Sequence, residues 1–211
     1  MPVVASDLTT YARVRNAALE GFARDGVAGT SIRDIARAAG VSPGLVQHHF
    51  PNKASLIAAV NDFVIGIATD AFSQPLDSAS AADIHQQLGD RVTTLVREHP
   101  TALRYVVRSA ADGEENALVI FDAFFAIARS QWQTVADQNL LRPDTDITWA
   151  ALHAVVINLG TVLLTSAIDR HLPEAFFTPT QLERWNAAST ALFREGVYRT
   201  PSAAGSGPLA D

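Results

Sequence analysis

Two short segments with helix-start signals, joined by one glycine, constrain this chain more than any other feature of its sequence. Ser31 is followed three residues later by Asp34, which is the Ser-x-x-Asp pattern that caps a helix N-terminus. Gly40 can adopt the left-handed conformation that ends such a helix. Ser42 can cap a second helix whose first position is Pro43, where the missing N–H costs nothing. The sequence therefore predicts two short helices joined by a tight turn.

Apolar residues at helical spacing continue along the rest of the chain and predict an all-α fold of about nine helices. Besides the two helices that flank Gly40, the pattern predicts helices over residues 11–24, 53–74, 83–98, 101–112, 115–139, 145–171 and 179–198. In the helix after Gly40, we expect Leu45, Val46 and Phe50 to face inward. No internal repeat and no series of strands is present in the sequence.

The same pattern divides the chain into two predicted domains. Residues 1–53 are predicted to form a helix-turn-helix domain, with the helix over 53–74 as a connector, and residues 54–199 are predicted to form a helical body. Residues 200–211 are rich in Ser, Ala, Gly and Pro, and we expect them to be disordered.

Residues 147–168 raise the question of a membrane, because these 22 residues carry no charge and could span a bilayer. Polar residues and Gly160 interrupt them, and no basic flank accompanies them, so a helix buried in protein is favoured and no membrane partner is expected. The first residues lack the basic start and apolar run of a secretory signal, and we expect a cytoplasmic protein. The absence of cysteine excludes disulfides, thiolate metal sites and a cysteine nucleophile.

The net charge of −6 is unevenly distributed. Residues 1–53 carry six basic and four acidic side chains, for a net charge of +2, and the remainder carries −8. A basic end and an acidic body favour phosphate contact at the first domain alone.

Residues 22–53 together form a helix-turn-helix pattern that resembles the tetracycline-repressor (TetR) family of bacterial transcription regulators. The features that carry the resemblance are Thr30-Ser31, Ile35-Ala36, Ala39-Gly40-Val41-Ser42, Gly44, Phe50 and Lys53. The resemblance implies a double-stranded DNA operator as partner, a homodimer with two DNA-binding heads, and a helical body that dimerises and encloses a small-molecule effector site. It also implies repression of a palindromic operator that a small, largely apolar effector relieves.

The resemblance further implies which residues contact DNA. Arg33 faces the groove, and Pro43, Gly44 and Gln47 approach bases; Gln47 could pair with adenine or could be a solvated polar residue. The phosphate contacts implied are Thr30, Ser31, His48, His49 and Lys53, and Ser42 joins the surface, with helix capping an equal alternative for both serines. The chain departs from the family pattern, which commonly has Tyr at positions 47 and 49 and often Lys at position 43.

The helical body offers candidates for a ligand pocket and a dimer interface, because it combines aromatic residues and isolated polar groups with more apolar surface than a small monomer readily covers. The expected pocket residues are Tyr105, Arg108, Phe124, Phe125, Ala128, Trp132, Trp149 and His153, of which His153 could instead be a core or interface residue. The expected interface residues are Leu152, Val156, Leu159, Leu163, Trp185, Leu192 and Phe193.

Two other classes of function stay open on the sequence alone. A small helical enzyme is disfavoured because no phosphate loop, H-E-x-x-H or G-x-S-x-G motif is present. A protein-interaction module whose helix-turn-helix no longer binds DNA is the second alternative. Neither the adjacent His48 and His49 nor the remaining histidines have metal-ligand spacing, so we expect no metal and no cofactor.

Overall fold

A computed structural model describes residues 5–76, 81–113 and 115–197. The expected all-α fold is confirmed, and the described residues contain ten α-helices, one 3₁₀ turn and no β-strand. The elements are α1 (Ala5–Gly29), α2 (Ile32–Ala39), α3 (Pro43–His49), α4 (Lys53–Phe72), α5 (Ala81–Glu98), α6 (Pro100–Ala111), α7 (Glu115–Asp137), α8 (Ile147–Leu163), α9 (Thr165–Ile168), the 3₁₀ turn Asp169–His171 and α10 (Pro179–Val197). The tail predicted over 200–211 lies outside the described residues.

The turn between α2 and α3 forms as the sequence predicts. Ser31 caps α2 by accepting a hydrogen bond from the Asp34 N–H, and Ser42 caps α3 by accepting one from the Leu45 N–H. Gly40 ends α2 in the left-handed region at φ 64° and ψ 39°. From α1, the Arg13 guanidinium donates to the Ala39 carbonyl oxygen at 2.6 Å, which fixes the turn against the first helix.

Two residues after the predicted end of the first helix at residue 24, Gly26 forms a kink within α1. Gly26 has φ 76° and ψ 166°, a conformation that L side chains rarely adopt. The Thr30 hydroxyl donates to the Gly26 carbonyl oxygen at 2.8 Å, and the Thr30 methyl group packs against Gly21, where a Cβ would approach it to 2.7 Å. A threonine and two glycines thus hold the last turn of α1.

The expectation of one helix over 145–171 is wrong, and this break accounts for the tenth helix. The chain bends by 67° after Leu163 and continues as α9 and the 3₁₀ turn. The Thr165 hydroxyl donates to the carbonyl oxygens of Thr161 and Val162, and such local bonds compete with the helical ladder and bend it. Hydropathy alone gave no sign of this bend.

The main hydrophobic core lies among α1 to α4 and continues into α6 and α7. Its fully buried members include Phe22, Val46, Phe50 and, from α6, Tyr105. The expectation that Leu45 faces inward is wrong, since 37% of its surface is exposed. Val46 and Phe50 are four residues apart and define the inner face of the two-turn helix α3, which leaves Leu45 about 100° away from it.

By length and composition, α4 could cross a membrane, and so could α8 together with the bent segment that follows it. In α4, however, Leu56, Val60 and Val64 are buried in the core. A core helix of this kind passes the same length and composition test, and α4 starts three residues after Phe50, the C-cap of α3.

Candidate DNA-binding surface and ligand cavity

The outer face of α3 combines helix-start geometry with exposed polar groups. Pro43, Gly44, Gln47 and His48 are all exposed, and Val46 fixes the opposite face in the core. Such a face is the part of a helix-turn-helix that can enter a major groove. Leu45, assigned to the core from sequence, belongs to this exposed face and adds an apolar group to it.

Arg33 on α2 lies beside this face as an unneutralised cation. It is exposed and makes no ion pair among the described residues. Arg37, by contrast, pairs with Asp34 at 2.9 Å. The hydrogen bond that the Ser31 hydroxyl donates to the carboxylate, followed by the hydrogen bond from the Ser31 backbone and the charge of Arg37, lowers the pKa of Asp34, so this carboxylate is charged at neutral pH.

The residues expected to contact phosphate lie in different environments. Ser31 is exposed, but Thr30 is only 4% exposed and its hydroxyl is bonded to Gly26, so the structure does not bring Thr30 to the surface. The Lys53 ammonium donates to the Val27 carbonyl oxygen and ties the start of α4 to α1. His49 is half-buried with its ring edge-on to Tyr11, at a centroid distance of 6.4 Å.

A cavity of about 160 Å³ lies in the body between α4, α5, α6, α7, α8 and α10. Its wall is mainly aliphatic and aromatic. None of the described residues that line it is Asp, Glu, Lys or Arg. The polar side chains on the wall are His85, Gln131, Asn158, Asn186, Ser189 and Thr190.

Three of the eight residues expected in the pocket line this cavity, namely Phe124, Ala128 and Trp132. The other five do not. Phe125 packs beside the wall in the core of α5, α7 and α8. Tyr105 is buried among α1, α4 and α6, and Arg108 of α6 bonds to α1 next to its kink. Trp149 and His153 form a pair on the surface of α8.

Trp149 was expected in the pocket from the sequence but does not line this cavity. Trp149 is 57% exposed and stacks on His153 at a centroid distance of 5.5 Å, near a shallow polar depression. An apolar helix with no polar face gives no indication of which side meets solvent, so α8 could not be oriented by periodicity.

The residues expected at the dimer interface divide between two surfaces. Val156, Leu163 and Leu192 are large apolar side chains that remain exposed. Leu152 is half-buried. Three others, Leu159, Trp185 and Phe193, line the cavity within the chain.

Sequence reasoning missed the contribution of α5 to the cavity. His85, Leu88, Gly89 and Val92 lie on one face of that helix and line the wall. The sequence signal that could have found this wall is the helical spacing of these four positions. The burial of His85 itself is visible only in the structure. Burial, together with the nearby Arg194 charge, lowers the pKa of His85 to about 4, so the imidazole is neutral at neutral pH.

The helix α6 connects the cavity with the DNA-binding end. Leu103 lines the cavity, and two residues later the Tyr105 hydroxyl donates to Asn61 Oδ1 of α4 at 2.6 Å. The Arg108 guanidinium donates to the Arg24 carbonyl oxygen at 3.3 Å, next to the kink of α1.

No group of three or more His, Asp or Glu side chains that could hold a metal ion occurs in the part of the chain that the structure describes.

Sequence comparison assigns this arrangement to a family. A model described as "Bacterial regulatory proteins, tetR family" matches residues 14–60. The HTH-type transcriptional regulatory protein RaaS of Mycobacterium tuberculosis is 31% identical over 160 residues, which cover 76% of this chain and 73% of that protein. This chain belongs to the TetR family. It is a DNA-binding transcriptional regulator with a helix-turn-helix, as the sequence predicts.

Other HTH-type transcriptional regulators match more locally. The regulator UidR of Escherichia coli is 29% identical over 110 residues, or 52% of this chain and 55% of UidR. TtgR of Pseudomonas putida is 45% identical over 53 residues, or 25% of each chain. These relatives are named as transcriptional regulators and not as enzymes.

Solved structures share the fold over nearly the whole chain. A TetR regulator from Chloroflexus aurantiacus has a TM-score of 0.72 at 22% identity, covering 93% of this chain and 100% of its own. FadR from Bacillus subtilis, solved in complex with stearoyl-CoA, has a TM-score of 0.71 at 15% identity, covering 89% of this chain and 100% of its own.

Proposed function

We propose that this TetR-family regulator is a repressor that binds a palindromic operator as a homodimer and is released by a small, largely apolar effector. One observation carries the proposal: an exposed recognition helix and a partly open cavity without a charged residue in its described lining lie at different places in one chain and are connected by α4 and α6. In this proposal residues 1–53 bind DNA, residues 54–199 bind the effector and dimerise, and the protein works in the cytoplasm.

Recognition is assigned to the outer face of α3. Gln47 is exposed and can form the paired hydrogen bonds that an amide makes with adenine in the major groove. Arg33 and His48 supply donors at the edges of this face, and the N-termini of α2 and α3, with Ser31 and Ser42 as their caps, present backbone N–H groups to phosphate. In this proposal Lys53 contacts phosphate when its ammonium group leaves the Val27 carbonyl oxygen on binding. His49, whose buried Nε2 has no hydrogen-bond partner among the described residues, donates to phosphate when its ring turns outward.

Dimerisation is assigned to the exposed apolar residues of the last two long helices. Val156 and Leu163 on α8 and Leu192 on α10 each leave more than half of their surface in solvent. Clusters of exposed apolar residues mark interaction sites, and a second copy of the chain would cover these residues. A two-fold dimer also supplies the two heads that a palindromic operator requires.

In this proposal, effector binding in the cavity controls the affinity of the protein for its operator. Two recognition helices enter successive major grooves only when they are about 34 to 36 Å apart. An effector that prefers a body conformation with another spacing weakens operator binding by its difference in affinity for the two states. The structural neighbour FadR was solved with stearoyl-CoA, whose charged CoA group carries a long apolar acyl chain; only the acyl chain supports an apolar portion in an effector for a body of this fold.

The direct test is selection of bound sequences from random DNA duplexes with the purified protein, followed by a salt titration of the enriched site. We expect a palindrome whose half-sites lie about one helical turn apart, and affinity that falls as salt rises, because phosphate contacts release counterions. A folded protein that enriches no sequence at low salt would contradict operator binding.

Two matched substitutions test the dimer surface. Leu192→Glu places a charge on α10, at a residue that is 63% exposed, and Leu118→Glu places the same charge on α7, at a residue that is 64% exposed. We expect only Leu192→Glu to give a monomer in analytical ultracentrifugation and to weaken operator binding. If the two variants have the same oligomeric state and the same operator affinity, the dimer interface does not depend on Leu192.

A further inference from the structure

The polar groups of the cavity are concentrated where α5 meets α10. Gly89 allows α10 to approach closely, because a Cβ at this position would lie 2.2 Å from Asn186 Oδ1 and 3.1 Å from Thr190 Oγ1. His85 lies one helical turn before Gly89, and its ring contacts that of Phe193 at a centroid distance of 5.8 Å. The two polar residues on the opposite wall bond to backbone, Gln131 to the Phe72 carbonyl oxygen and Asn158 to that of Ala154.

One hydroxyl at this seam is available to a ligand. Asn186 donates to Asp90 and accepts from Thr190, so both side chains have partners within the protein. Ser189 lines the cavity, and its hydroxyl makes no hydrogen bond among the residues that the structure describes. Because Ser189 is only half-buried, its hydroxyl can exchange a hydrogen bond to water for one to a ligand, with a modest net gain in free energy.

Among the residues that the structure describes, no wall residue carries a charge that could compensate an ion inside the cavity. Arg194, whose charge contributes to the lowered pKa of His85, is exposed and is not part of the wall. His85 is buried, and its depressed pKa keeps it neutral. An ion inside this partly open cavity would lose part of its hydration without meeting an opposite charge on the described wall.

We propose that the cavity selects uncharged ligands that consist of an apolar body with one hydroxyl or carbonyl group, and that this group binds at the α5–α10 seam against Ser189. Ser189 is then a specificity-determining residue, and carboxylates, ammonium ions and other charged amphiphiles of the same length are rejected. The proposal rests on the assignment of the cavity as the effector site, and it names the chemical class of the effector.

Four probes with the same eight-carbon chain test the charge rule: octan-1-ol, 1-chlorooctane, octanoate and octylammonium. Binding is measured without DNA by tryptophan fluorescence, because Trp132 and Trp185 line the cavity, and by the ligand-induced shift of the melting temperature. We expect octan-1-ol to bind most tightly and the two ions to bind at least about 100-fold more weakly. An ion that binds as tightly as octan-1-ol, or no binding of any probe, would overturn the proposal.

Two serine variants test the position of the polar group. Ser189→Ala should weaken octan-1-ol by roughly 2- to 10-fold and leave 1-chlorooctane unchanged, because only the alcohol loses a hydrogen bond. Ser130→Ala, on an exposed part of α7 outside the wall, should change neither ligand. Equal loss for both ligands in Ser189→Ala would assign Ser189 to packing and overturn its role.

These outcomes are independent of operator binding. If random-sequence selection fails while octan-1-ol binds with the expected preference, the proposed regulation is wrong and the ligand class stands. If an operator is found and the probes fail, the ligand class alone is wrong.

Discussion

Gln47 projects from the exposed face of α3, where a single side chain can determine the preference for one base pair. We expect Gln47→Ala to weaken operator binding by about 1 to 3 kcal/mol and to relax the preference at one position in each half-site, since the paired contact to adenine is lost. The measurement is selection with the variant, followed by titration of the parent operator. Gln138→Ala, an equally exposed change at the end of α7, is the control. If the base preference is unchanged in Gln47→Ala, Gln47 is a solvated residue that does not contact a base.

His85 predicts a pH dependence of folding stability. Its pKa is about 4 in the folded chain, compared with 6.5 for an unperturbed histidine, because burial disfavours the charged imidazole and Arg194 adds to the effect. Below pH 6.5 the unfolded chain therefore binds a proton that the folded chain does not bind. Stability is fully present above pH 6.5 and is lost as the pH falls towards 4, by at most roughly 3 kcal/mol.

The variant His85→Gln isolates this effect, because glutamine is polar and does not titrate. Urea unfolding of both proteins between pH 4 and pH 7.5 should give a difference in stability that changes over the stated window and is flat above it. Carboxylates contribute equally to the two proteins and cancel in the difference. A difference that does not vary with pH would contradict a neutral buried His85.

At the level of the helices, two glycines with different backbone conformations should respond oppositely to alanine. Gly40 is left-handed, and a Cβ there would meet only Arg13 Nη2 at 3.7 Å, so its substitution adds strain without a clash. We expect Gly40→Ala to destabilise the fold by about 1 to 2 kcal/mol. Gly66 is helical with nothing within 4 Å of a Cβ, and Gly66→Ala should stabilise by about 0.5 to 1 kcal/mol. Denaturant unfolding of both variants checks the pair, and a loss of similar size in both would refute it.

The elements with local signals could be predicted from sequence, and this helix-turn-helix is the clearest case. The caps Ser31 and Ser42 and the left-handed Gly40 interact only with residues a few positions away in the sequence. Their roles can therefore be inferred from the local sequence. The same reasoning failed for Leu45 and Thr30, because exposure and partner choice depend on how α3 and α1 pack.

The cavity could be predicted only in part, because its wall is assembled from six helices. Phe124, Ala128 and Trp132 were found as aromatic and small residues on α7. Leu159 and Val156 on α8 are both apolar, yet one lines the cavity and the other faces solvent, and hydropathy does not distinguish them. Likewise, the contribution of Ser189 requires the contact between α10 and α5, which no sequence period encodes.

For the whole molecule, communication between cavity and DNA-binding head depends on α6 as well as on the connector α4. Leu103 belongs to the cluster beside the cavity, whereas Tyr105 and Val106 belong to the core of the head. A ligand that displaces Leu103 therefore also acts on the buried hydrogen bond between Tyr105 and Asn61. A coupling of about 1 to 3 kcal/mol through such contacts would change operator affinity by about 5- to 150-fold.

Tyr105→Phe tests this connection because it removes the hydroxyl and leaves Asn61 Oδ1 buried without that donor. We expect a loss of about 1 to 3 kcal/mol in the free energy of unfolding. Tyr105 does not line the cavity, so octan-1-ol binding should stay within about 2-fold of the parent protein, whereas the effect of octan-1-ol on operator affinity should decrease. Replacing both partners, in Asn61→Leu with Tyr105→Phe, should restore much of the stability without restoring the coupling, because Asn61 Oδ1 is then no longer buried without its donor but the connection is still absent. If the double variant regains both stability and ligand response, the hydrogen bond contributes to packing alone and the signal passes to the head through α4.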